Sequence, residues 1–335
     1  IWDAVLEGKS GGYPADIKML YNMGGDPLNR LPDINKGTTA LKTLDFIVMH
    51  SQFMYGIAKY ADIVFPVSTF YEREDMSSPF TGAPYYVYCS KIIDPLYESK
   101  SDVQICTELA IKLEIEGYND KTEEEWMKEF VEAMPEDIDL AEFKKKGIWE
   151  VPLDEPWISF KEQIEDPENN PFPTPSGKIE IFSQLLADMD NPLLPPVPKY
   201  IEHWEGRNDP LAEKYPLQMI NSHMKRRANS VLENVSLLRE LMPHAVWINP
   251  VDAQPRGIND GEKVRVFNDR GEMVVTAKVT ERIMPGVTHL PYGAHYTPDE
   301  NGVDHGGASN LLTKNEHSPG GALCANTSLV EVRKA

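Results

Sequence analysis

Residues 245–280, AVWINPVDAQPRGINDGEKVRVFNDRGEMVVTAKVT, carry the clearest structural signal in the chain. They begin with the short apolar segment Ala245–Ile248. Asn249-Pro250 follows, which is typical of an N-cap and the first position of a helix. Residues 263–267 and 273–280 then alternate apolar and polar side chains around a turn that is typical of a hairpin. A strand, a short helix and a hairpin within about 50 residues predict a compact β-barrel.

The first 115 residues alternate short apolar segments with amphipathic ones. The apolar segments cover 17–23, 45–50 and 62–65. Each is almost continuously apolar and ends at turn or polar residues, as do strands that are buried on both faces of a parallel sheet. Helices are predicted over 36–44, 55–61 and 101–115. Ser101 is the expected N-cap of the last one. This pattern predicts a partial open parallel α/β sheet domain.

The composition of the chain changes between these two regions. Residues 116–149 carry charges of both signs with Trp126 and Phe130 among them, and they predict an amphipathic, solvated pair of helices. Residues 150–215 hold 11 of the 27 prolines. Proline disrupts long helices, so we expect an extended connector with one short helix near 181–189. The predicted organisation is an α/β region over 1–115, a helical and then proline-rich connector over 116–214, and a barrel over 215–335.

Composition argues against several classes of protein. Hydrophobic residues make up 41% and charged residues 26%, which is ordinary for a globular domain. No apolar run approaches the ~20 residues that cross a bilayer. The net charge of −20 would repel a phosphate backbone, so we expect no nucleic-acid partner. Cys89, Cys106 and Cys324 are odd in number and far apart, and predict neither a disulfide framework nor a zinc cluster. The start at Ile1 suggests a fragment or a processed product.

The common catalytic motifs do not occur in the sequence. There is no H-E-x-x-H motif and no G-x-S-x-G nucleophile elbow. Gly177-Lys178 resembles the end of a phosphate-binding loop, but Phe172 replaces its first glycine and Ile179 its Ser/Thr. None of the eight histidines lies at metal-ligand spacing from a cysteine. The sequence therefore predicts no catalytic residue and no metal ligand in this chain.

Polar loops follow the three predicted strands, at 24–29, 50–53 and 66–75. Ligands of open parallel sheets bind at the carboxyl edge, where these loops would meet. Gly25 would let backbone N–H groups approach an anion, and Arg73 could bind a phosphate through two hydrogen bonds. Asp75 or Asp102 could accept hydrogen bonds from a guanine-type edge. The alternative is that residues 72–75, ERED, form a surface charge run that caps a helix.

The end of the chain is rich in glycine and amide residues. DHGGASNLLT at 304–313 is followed by SPGG at 318–321 and by Asn326-Thr327. Long polar glycine loops inside a compact domain are often functional, and amides can bind a heterocycle that offers donors and acceptors on one edge. The alternative is a plain surface loop.

Five segments together resemble the C-terminal part of the molybdopterin oxidoreductases of the dimethyl sulfoxide reductase family. They are GGDPLN (24–29), YADIVFPVSTFYERED (60–75), TPSGKIEIFS (174–183), WINPVDAQPRGINDGEKVRVFNDRG (247–271) and the tail 293–332. They occur in the family's order and span nearly the whole chain. The tail, with DENGVDHGG, SNLLT and NTSLVEV, is most similar to the anaerobic dimethyl sulfoxide reductases within that family.

The resemblance implies a fold and a cofactor. The family binds bis(molybdopterin guanine dinucleotide), which holds one molybdenum. The α/β region would bind one guanosine half, and the barrel would be a double-psi β-barrel that closes over the pterins. By motif, the cofactor-binding residues would be Gly25, Asp26, His50, Ser51, Arg73 and Asp102 in the nucleotide pocket, Ser222, His223, Arg227, Asn229 and Ser230 in a loop after the first barrel strand, and Asn310, Thr313 and Asn326 in the tail.

The chain departs from the family's pattern at four of the compared positions. The family usually has Asn where this chain has Asp26, and Asp where it has Ser51. It usually has His and Gln where this chain has Asn229 and Val231. These departures bear on individual contacts and on the substrate, and they leave the order of the segments unchanged.

The resemblance also implies a function and partners. The whole enzyme would transfer an oxygen atom from an S-oxide or N-oxide, while this part would bind the cofactor without turnover by itself. Family enzymes are much longer, and their iron–sulfur cluster and molybdenum ligand precede the segments seen here. The implied partners are the missing N-terminal part of the same chain, an iron–sulfur electron-transfer subunit and a membrane anchor. The implied location is that of an exported prokaryotic enzyme, attached to the membrane through these subunits.

Two other functions stay open at this point. The chain could be a standalone nucleotide- or pterin-binding module without redox activity, which predicts a reading frame that begins near Ile1. It could also be an unrelated hydrolase with an acidic site built from Glu72, Glu74 and Asp75, which predicts metal binding and hydrolysis without a pterin.

Overall fold

The computed structural model describes residues 1–79, 83–134 and 137–335. Within them the chain forms two compact units. The first unit comprises Ile1–Met49, Met54–Ile63 and Met189–Ala335, and the second comprises His50–Phe53 and Val64–Asp188.

The described helices and strands have the following bounds. The α-helices are α1 (Trp2–Glu7), α2 (Pro27–Arg30), α3 (Ile34–Leu41), α4 (Asp102–Lys112), α5 (Glu123–Glu132), α6 (Leu140–Lys146), α7 (Lys161–Glu165), α8 (Gln184–Asp188), α9 (Ser236–Leu241) and α10 (Pro250–Ala253). The strands are β1 (Met19–Met23), β2 (Phe46–Ser51), β3 (Ile63–Pro66), β4 (Asp75–Ser77), β5 (Tyr85–Cys89), β6 (Ile148–Glu150), β7 (Leu217–Ile220), β8 (Ala245–Ile248), β9 (Lys263–Asn268), β10 (Gly271–Val279), β11 (Val287–His289) and β12 (Ser328–Lys334). Short 3₁₀-helices cover Gly8–Gly11, Gly56–Tyr60, Pro210–Glu213, Gln254–Arg256 and Ser309–Leu311.

The first unit contains a closed six-stranded barrel in the order β10-β8-β11-β7-β12-β9. β9 and β10 form the predicted antiparallel hairpin, with Gly271 opposite Asn268. The pairs β10–β8 and β11–β7 are parallel. The alternating pattern of the sequence places Val264, Val266 and Met273 in the interior, where they are fully buried. The predicted compact barrel is therefore confirmed.

The turn after β8 forms as its sequence predicts. The Asn249 side chain accepts a hydrogen bond from the Val251 N–H at 2.9 Å and caps α10, and Pro250 occupies the first helical position. Gly257 ends the following 3₁₀-helix at φ 64°, in the left-handed region that glycine adopts without strain. The local sequence therefore predicts this segment correctly.

The three strands predicted near the N-terminus are confirmed to within two residues, and they form a sheet in the order β1-β2-β3. In the first unit, α3 packs against α1 and buries Trp2, Ile34 and Leu41. The predicted helix over 55–61 is a 3₁₀-helix. The predicted helix over 101–115 is α4, and its expected N-cap Ser101 accepts a hydrogen bond from the Gln104 N–H at 3.2 Å.

The second unit contains an antiparallel sheet, β4-β5-β6, and the helices α5 and α6. Met127, Val131 and Phe143 from these helices bury their apolar sides against Tyr88 of β5. The two amphipathic helices predicted over 116–149 are α5 and α6, and their apolar sides pack on β5, a strand that the sequence pattern did not predict.

The proline-rich segment contains the short helices α7 and α8, and α8 lies where one short helix was predicted. The compact units divide at His50, Met54, Val64 and Met189. In the second unit, α5 and α6 pack with β5 in one core. The boundaries at 115 and 214 stay predictions. No helix in the described part of the chain is long and apolar enough to span a membrane.

Candidate functional site

The second unit holds a pocket of about 380 Å³ beside the N-terminal end of α4. It is lined by Arg73, Glu74, Asp75, Ser101, Asp102, Val103, Glu123, Trp126, Met127 and Phe130. Two of the predicted nucleotide-pocket residues, Arg73 and Asp102, are among them.

The Asp102 carboxylate is the central polar group of this pocket. Its Oδ1 lies 2.7 Å from Nδ1 of His50, and its Oδ2 lies 3.9 Å from Nη1 of Arg73. The His50 side chain is fully buried, with Phe65 packed edge-on against its ring, whereas the Asp102 side chain is 43% exposed. A fixed, buried imidazole therefore orients a carboxylate that a ligand can reach.

The guanidinium of Arg73 is partly occupied. Its Nε and Nη2 atoms donate to Oδ2 of Asp75 at 3.3 and 3.1 Å. The expected bidentate binding of a phosphate by Arg73 would therefore have to use the hydrogens of Nη1 and the second hydrogen of Nη2. Carboxylates outnumber cations around the pocket, so it favours a ligand group that offers N–H donors over an anion.

An aromatic wall closes the other side of the pocket. The Trp126 and Phe130 rings lie 5.7 Å apart at 28°. The Trp126 Nε1–H donates to Oδ1 of Asn119 at 2.9 Å, which fixes the indole. Neither aromatic residue was among the candidates that the sequence indicated. The signal that could have identified them is their i, i+4 spacing in the helix that begins with the capping box of Thr122 and Glu125.

The remaining acidic and hydroxyl candidates of the second unit have structural contacts. Ser51 Oγ donates to the Phe53 carbonyl at 2.8 Å and does not line the pocket. Glu72 is buried and accepts hydrogen bonds from the Thr69 and Leu96 N–H groups, both at 2.6 Å. Among the described residues no cluster of three His, Cys, Asp or Glu could hold a metal ion. Glu74 and Asp75 also have partners within the chain, Lys144 and Arg73, so the contacts of these acidic residues lend no support to the hydrolase alternative.

The first unit carries the other candidate residues, beginning with the glycine pair before α2. Gly24 and Gly25 have φ of 62° and 75°, and a Cβ on either would meet no atom within 4 Å. Open space beside such a backbone is what close approach of a ligand requires.

Asp26 follows this pair and is buried. Its Oδ1 accepts hydrogen bonds from the N–H groups of Leu28 (3.2 Å), Asn29 (3.4 Å) and Ile57 (3.2 Å). Its Oδ2 has no partner among the described residues and packs against Gly56. Burial raises the pKa of the Asp26 carboxyl to about 6, against the lowering effect of the three N–H groups.

Residues 221–233, named here the arginine loop, follow β7. Ser222 Oγ lies 2.9 Å from Nε2 of His289, and Nε2 of His223 donates to Oδ1 of Asn229 at 2.6 Å. Asn229 lies in the left-handed region at φ 56°. Arg227 forms a buried ion pair with Glu233 and donates to the Tyr292 carbonyl at 2.9 Å. The candidate residues of this loop are thus brought together with β11 and the segment that follows it.

Ser230 lies next to a ring pair that sequence reasoning missed. The backbone of Ser230 is hydrogen-bonded to the His295 ring, and Tyr55 stacks on that ring at 4.0 Å and 11°. Burial lowers the pKa of both His289 and His295. Both rings are therefore neutral at physiological pH and can accept hydrogen bonds.

The tail candidates bond to their own chain. Asn310 Nδ2 donates to the Asn29 carbonyl at 3.0 Å, and Thr313 Oγ1 lies 3.2 Å from the Asn310 carbonyl. Oδ1 of Asn326 accepts from the Asn221 N–H at 2.9 Å. Residues 304–313, named here the glycine loop, begin at Asp304, whose buried carboxylate accepts four backbone N–H groups. In this structure these residues hold loops in place.

Several buried polar atoms of the first unit have no hydrogen-bond partner among the described residues. Six of them, Asp26 Oδ2, Asn29 Oδ1, Arg227 Nε, His289 Nδ1, His295 Nε2 and Ser309 Oγ, belong to or lie beside the candidate residues; the others are Trp2 Nε1, Thr38 Oγ1, Trp204 Nε1 and Ser328 Oγ. Buried polar groups are normally paired, so an unpaired group calls for a partner that the protein does not supply. The six atoms include donors and acceptors, which fits a heterocyclic ligand with both. The molybdopterin part of the implied cofactor is such a ligand.

The chain has two matches to known domain families. Residues 5–112 match the family described as Molybdopterin oxidoreductase, and residues 217–325 match the molybdopterin dinucleotide binding domain. Each of these two regions of the chain is therefore similar to a domain that is associated with molybdopterin.

Individual relatives agree with these matches. The chain is 40% identical to dimethyl sulfoxide reductase DmsA of Escherichia coli K12, over 99% of this chain and 44% of the relative. It is 35% identical to a dimethyl sulfoxide/trimethylamine N-oxide reductase of Cereibacter sphaeroides, over 98% and 42%. It thus spans less than half the length of these relatives. Acetylene hydratase from Pelobacter acetylenicus has the same fold, with a TM-score of 0.76 at 20% identity over 100% of this chain and 46% of that one.

Proposed function

We propose that the chain is the C-terminal, cofactor-binding part of a molybdenum oxidoreductase that uses bis(molybdopterin guanine dinucleotide) and reduces S-oxides or N-oxides. The observation that carries the proposal is the Asp102 carboxylate, which buried His50 holds at a pocket with an aromatic wall. The relatives named for dimethyl sulfoxide and trimethylamine N-oxide reduction support the substrate class.

This chain's own residues would bind and orient the cofactor. Asp102 would accept hydrogen bonds from the N1–H and N2–H₂ donors of guanine, and Trp126 would stack on the base. The glycine pair, Arg227 and the unpaired atoms of the first unit would contact the rest of the dinucleotide and the pterins. The bound molybdenum would supply the oxygen-atom transfer, so the protein would contribute binding and electrostatics.

The finer features of the fold and assembly belong to the same proposal. The parallel pairs β10–β8 and β11–β7 support a double-psi arrangement of the barrel. The share of the relatives that the chain covers supports a longer whole protein, whose N-terminal part would hold an iron–sulfur cluster. An iron–sulfur subunit, a membrane anchor and export are proposed from the resemblance. Reading the source gene upstream of the codon for Ile1 tests this, because a start codon just before Ile1 would favour the standalone module.

Guanine selectivity is the direct test of the pocket. We expect guanosine 5′-monophosphate to bind the chain about tenfold or more tightly than adenosine 5′-monophosphate, because adenine lacks the N1–H and N2–H₂ donors that a carboxylate accepts. Asp102→Asn should weaken guanosine binding by about 10- to 100-fold and leave adenosine binding unchanged. Isothermal titration calorimetry measures both.

Asp94→Asn is the matched control, since Asp94 is an exposed acidic residue of the same unit outside the pocket. It should bind both nucleotides as the wild type does. Equal affinity of the wild type for the two nucleotides would refute the assignment of Asp102.

A further inference from the structure

Arg227 has partners on both of its Nη atoms and, within the described part of the chain, none on its Nε atom. Its side chain is 4% exposed, its Nη1 pairs with Glu233, and its Nη2 donates to the Tyr292 carbonyl. Its Nε–H is buried without a partner among the described residues. A buried guanidinium donor that the protein leaves unpaired is suited to an acceptor atom of a ligand.

His244 directly precedes β8 and contacts the guanidinium of Arg227. Its Nδ1 lies 3.3 Å from Nη2 of Arg227, and its Nε2 lies 3.0 Å from the carbonyl of Gly307. An arginine only donates and a carbonyl only accepts, so Nδ1 must accept and Nε2–H must donate. The two contacts therefore fix one neutral tautomer, and they join the arginine loop to the glycine loop.

The surroundings of His244 preserve this arrangement. Gly307 has φ 85°, and a Cβ there would lie 2.5 Å from Nε2 of His244, so glycine allows the close approach. Burial, and then the charge of Arg227, lower the pKa of His244 to about 3. The charged groups nearby are Arg226, Arg227, Glu233 and Arg239, and His289 also acts on the ring.

We propose that His244 is a positioning residue that fixes the Arg227 guanidinium, with its Nε–H free for an acceptor atom of the bound cofactor, and that couples the arginine loop to the glycine loop. The identity of the ligand rests on the proposed function. The positioning of Arg227 rests on the contacts of this chain alone.

Three substitutions separate the two contacts of His244. Asparagine places Oδ1 where Nδ1 lies, so His244→Asn keeps the contact with Arg227 and loses the one with Gly307. Glutamine places Nε2 where the ring Nε2 lies, so His244→Gln keeps only the contact with Gly307. His244→Phe keeps the ring shape and loses both. A role in packing alone predicts that the phenylalanine variant resembles the wild type most closely.

The readouts are the affinity for isolated molybdopterin guanine dinucleotide and the ¹⁵N NMR signal of the Arg227 Nε–H in the full 335-residue chain. We expect His244→Gln and His244→Phe to bind the dinucleotide about tenfold more weakly, as loss of one hydrogen bond to a charged group predicts, and His244→Asn to stay within about threefold of the wild type. The Nε–H signal should be sharp in the wild type and in His244→Asn, and broadened in the other two.

The outcomes distinguish this inference from the proposed function. Guanosine 5′-monophosphate should bind all three variants as it binds the wild type, because its pocket is built from residues of the second unit. Dinucleotide affinities that follow only the thermal stability of the variants, or an unchanged Nε–H signal in His244→Gln, would overturn the positioning role. Absence of dinucleotide binding to the wild type would instead overturn the proposed function, and the NMR signal would still decide the role of His244.

Discussion

Gly293→Ala should lower the free energy of unfolding by about 3–5 kcal/mol, at the upper end of what single substitutions do. Gly293 has φ 94°, and a Cβ there would lie 1.9 Å from the carbonyl oxygen of Asn229 and 2.5 Å from its carbonyl carbon. Both are backbone atoms, so no rotation of a side chain relieves the overlap. Asn229 and Leu232 already have positive φ, so a shift of the arginine loop would start from a backbone that is strained at two residues. Urea unfolding of the wild type and the variant measures the loss.

Gly286→Ala is the matched control for backbone conformation. Gly286 has φ 78°, but a Cβ there would meet no atom within 4 Å. The free energy of unfolding of this variant should fall only by the cost of placing an alanine in the left-handed region, about 1–2 kcal/mol. Similar losses for the two variants would mean that the arginine loop yields to the added methyl group. We also expect Gly293→Ala to weaken dinucleotide binding, because the loop that it displaces carries Arg227.

The elements that the sequence predicts well are those that local chemistry specifies. The hairpin of β9 and β10 follows from alternation and a turn, and α4 and α10 begin at the caps that Ser101 and Asn249 provide. The antiparallel sheet of the second unit was not predicted. β4 and β6 are short, and their pairing with β5 depends on residues far apart in sequence.

The residues of the candidate site also fall into those that the sequence indicated and those that only the structure shows. The rule that ligands bind where strands end pointed to the loops that contain His50 and Arg73. Asp102 was named as a possible acceptor and by the resemblance, and the structure brings these three residues together. Trp126 and His244 could not be found this way, because their roles depend on contacts made by tertiary folding. Resemblance located Asn310, Thr313 and Asn326, but only the structure shows that they bond to their own chain.

Asp26→Asn should make the protein more stable than the wild type by about 2–3 kcal/mol at pH 8, and about equally stable at pH 4. Burial raises the pKa of Asp26 from 3.8 to about 6, so the folded state favours the protonated carboxyl. The stabilisation from this proton is fully present below about pH 4 and is lost as the pH rises through about 6. A shift of about two pKa units corresponds to about 3 kcal/mol. Asparagine cannot ionise and avoids this loss.

The measurement is the difference in unfolding free energy between Asp26→Asn and the wild type, by urea unfolding at several pH values from 4 to 8. His244 titrates in the opposite sense, because burial lowers its pKa, but it is present in both proteins and cancels from the difference. Asp33→Asn is the matched control. Asp33 caps α3 by accepting from the Lys36 N–H at 3.0 Å, and it is partly exposed. Asparagine and aspartate are nearly equivalent caps. The unfolding free energies of Asp33→Asn and the wild type should therefore stay within about 0.5 kcal/mol of each other at every pH.

The same experiment bears on the departure at position 26 from the family that the chain resembles. A protonated Asp26 accepts through Oδ1 and donates through Oδ2–H, which is the hydrogen-bonding pattern of the asparagine usual at that position. Below about pH 6 the chain therefore offers the same unpaired donor beside the glycine pair, and above it offers a buried charge. An equal difference in unfolding free energy between Asp26→Asn and the wild type at pH 4 and pH 8 would mean that Asp26 does not retain its proton on folding. The three N–H donors alone would then have to stabilise the carboxylate.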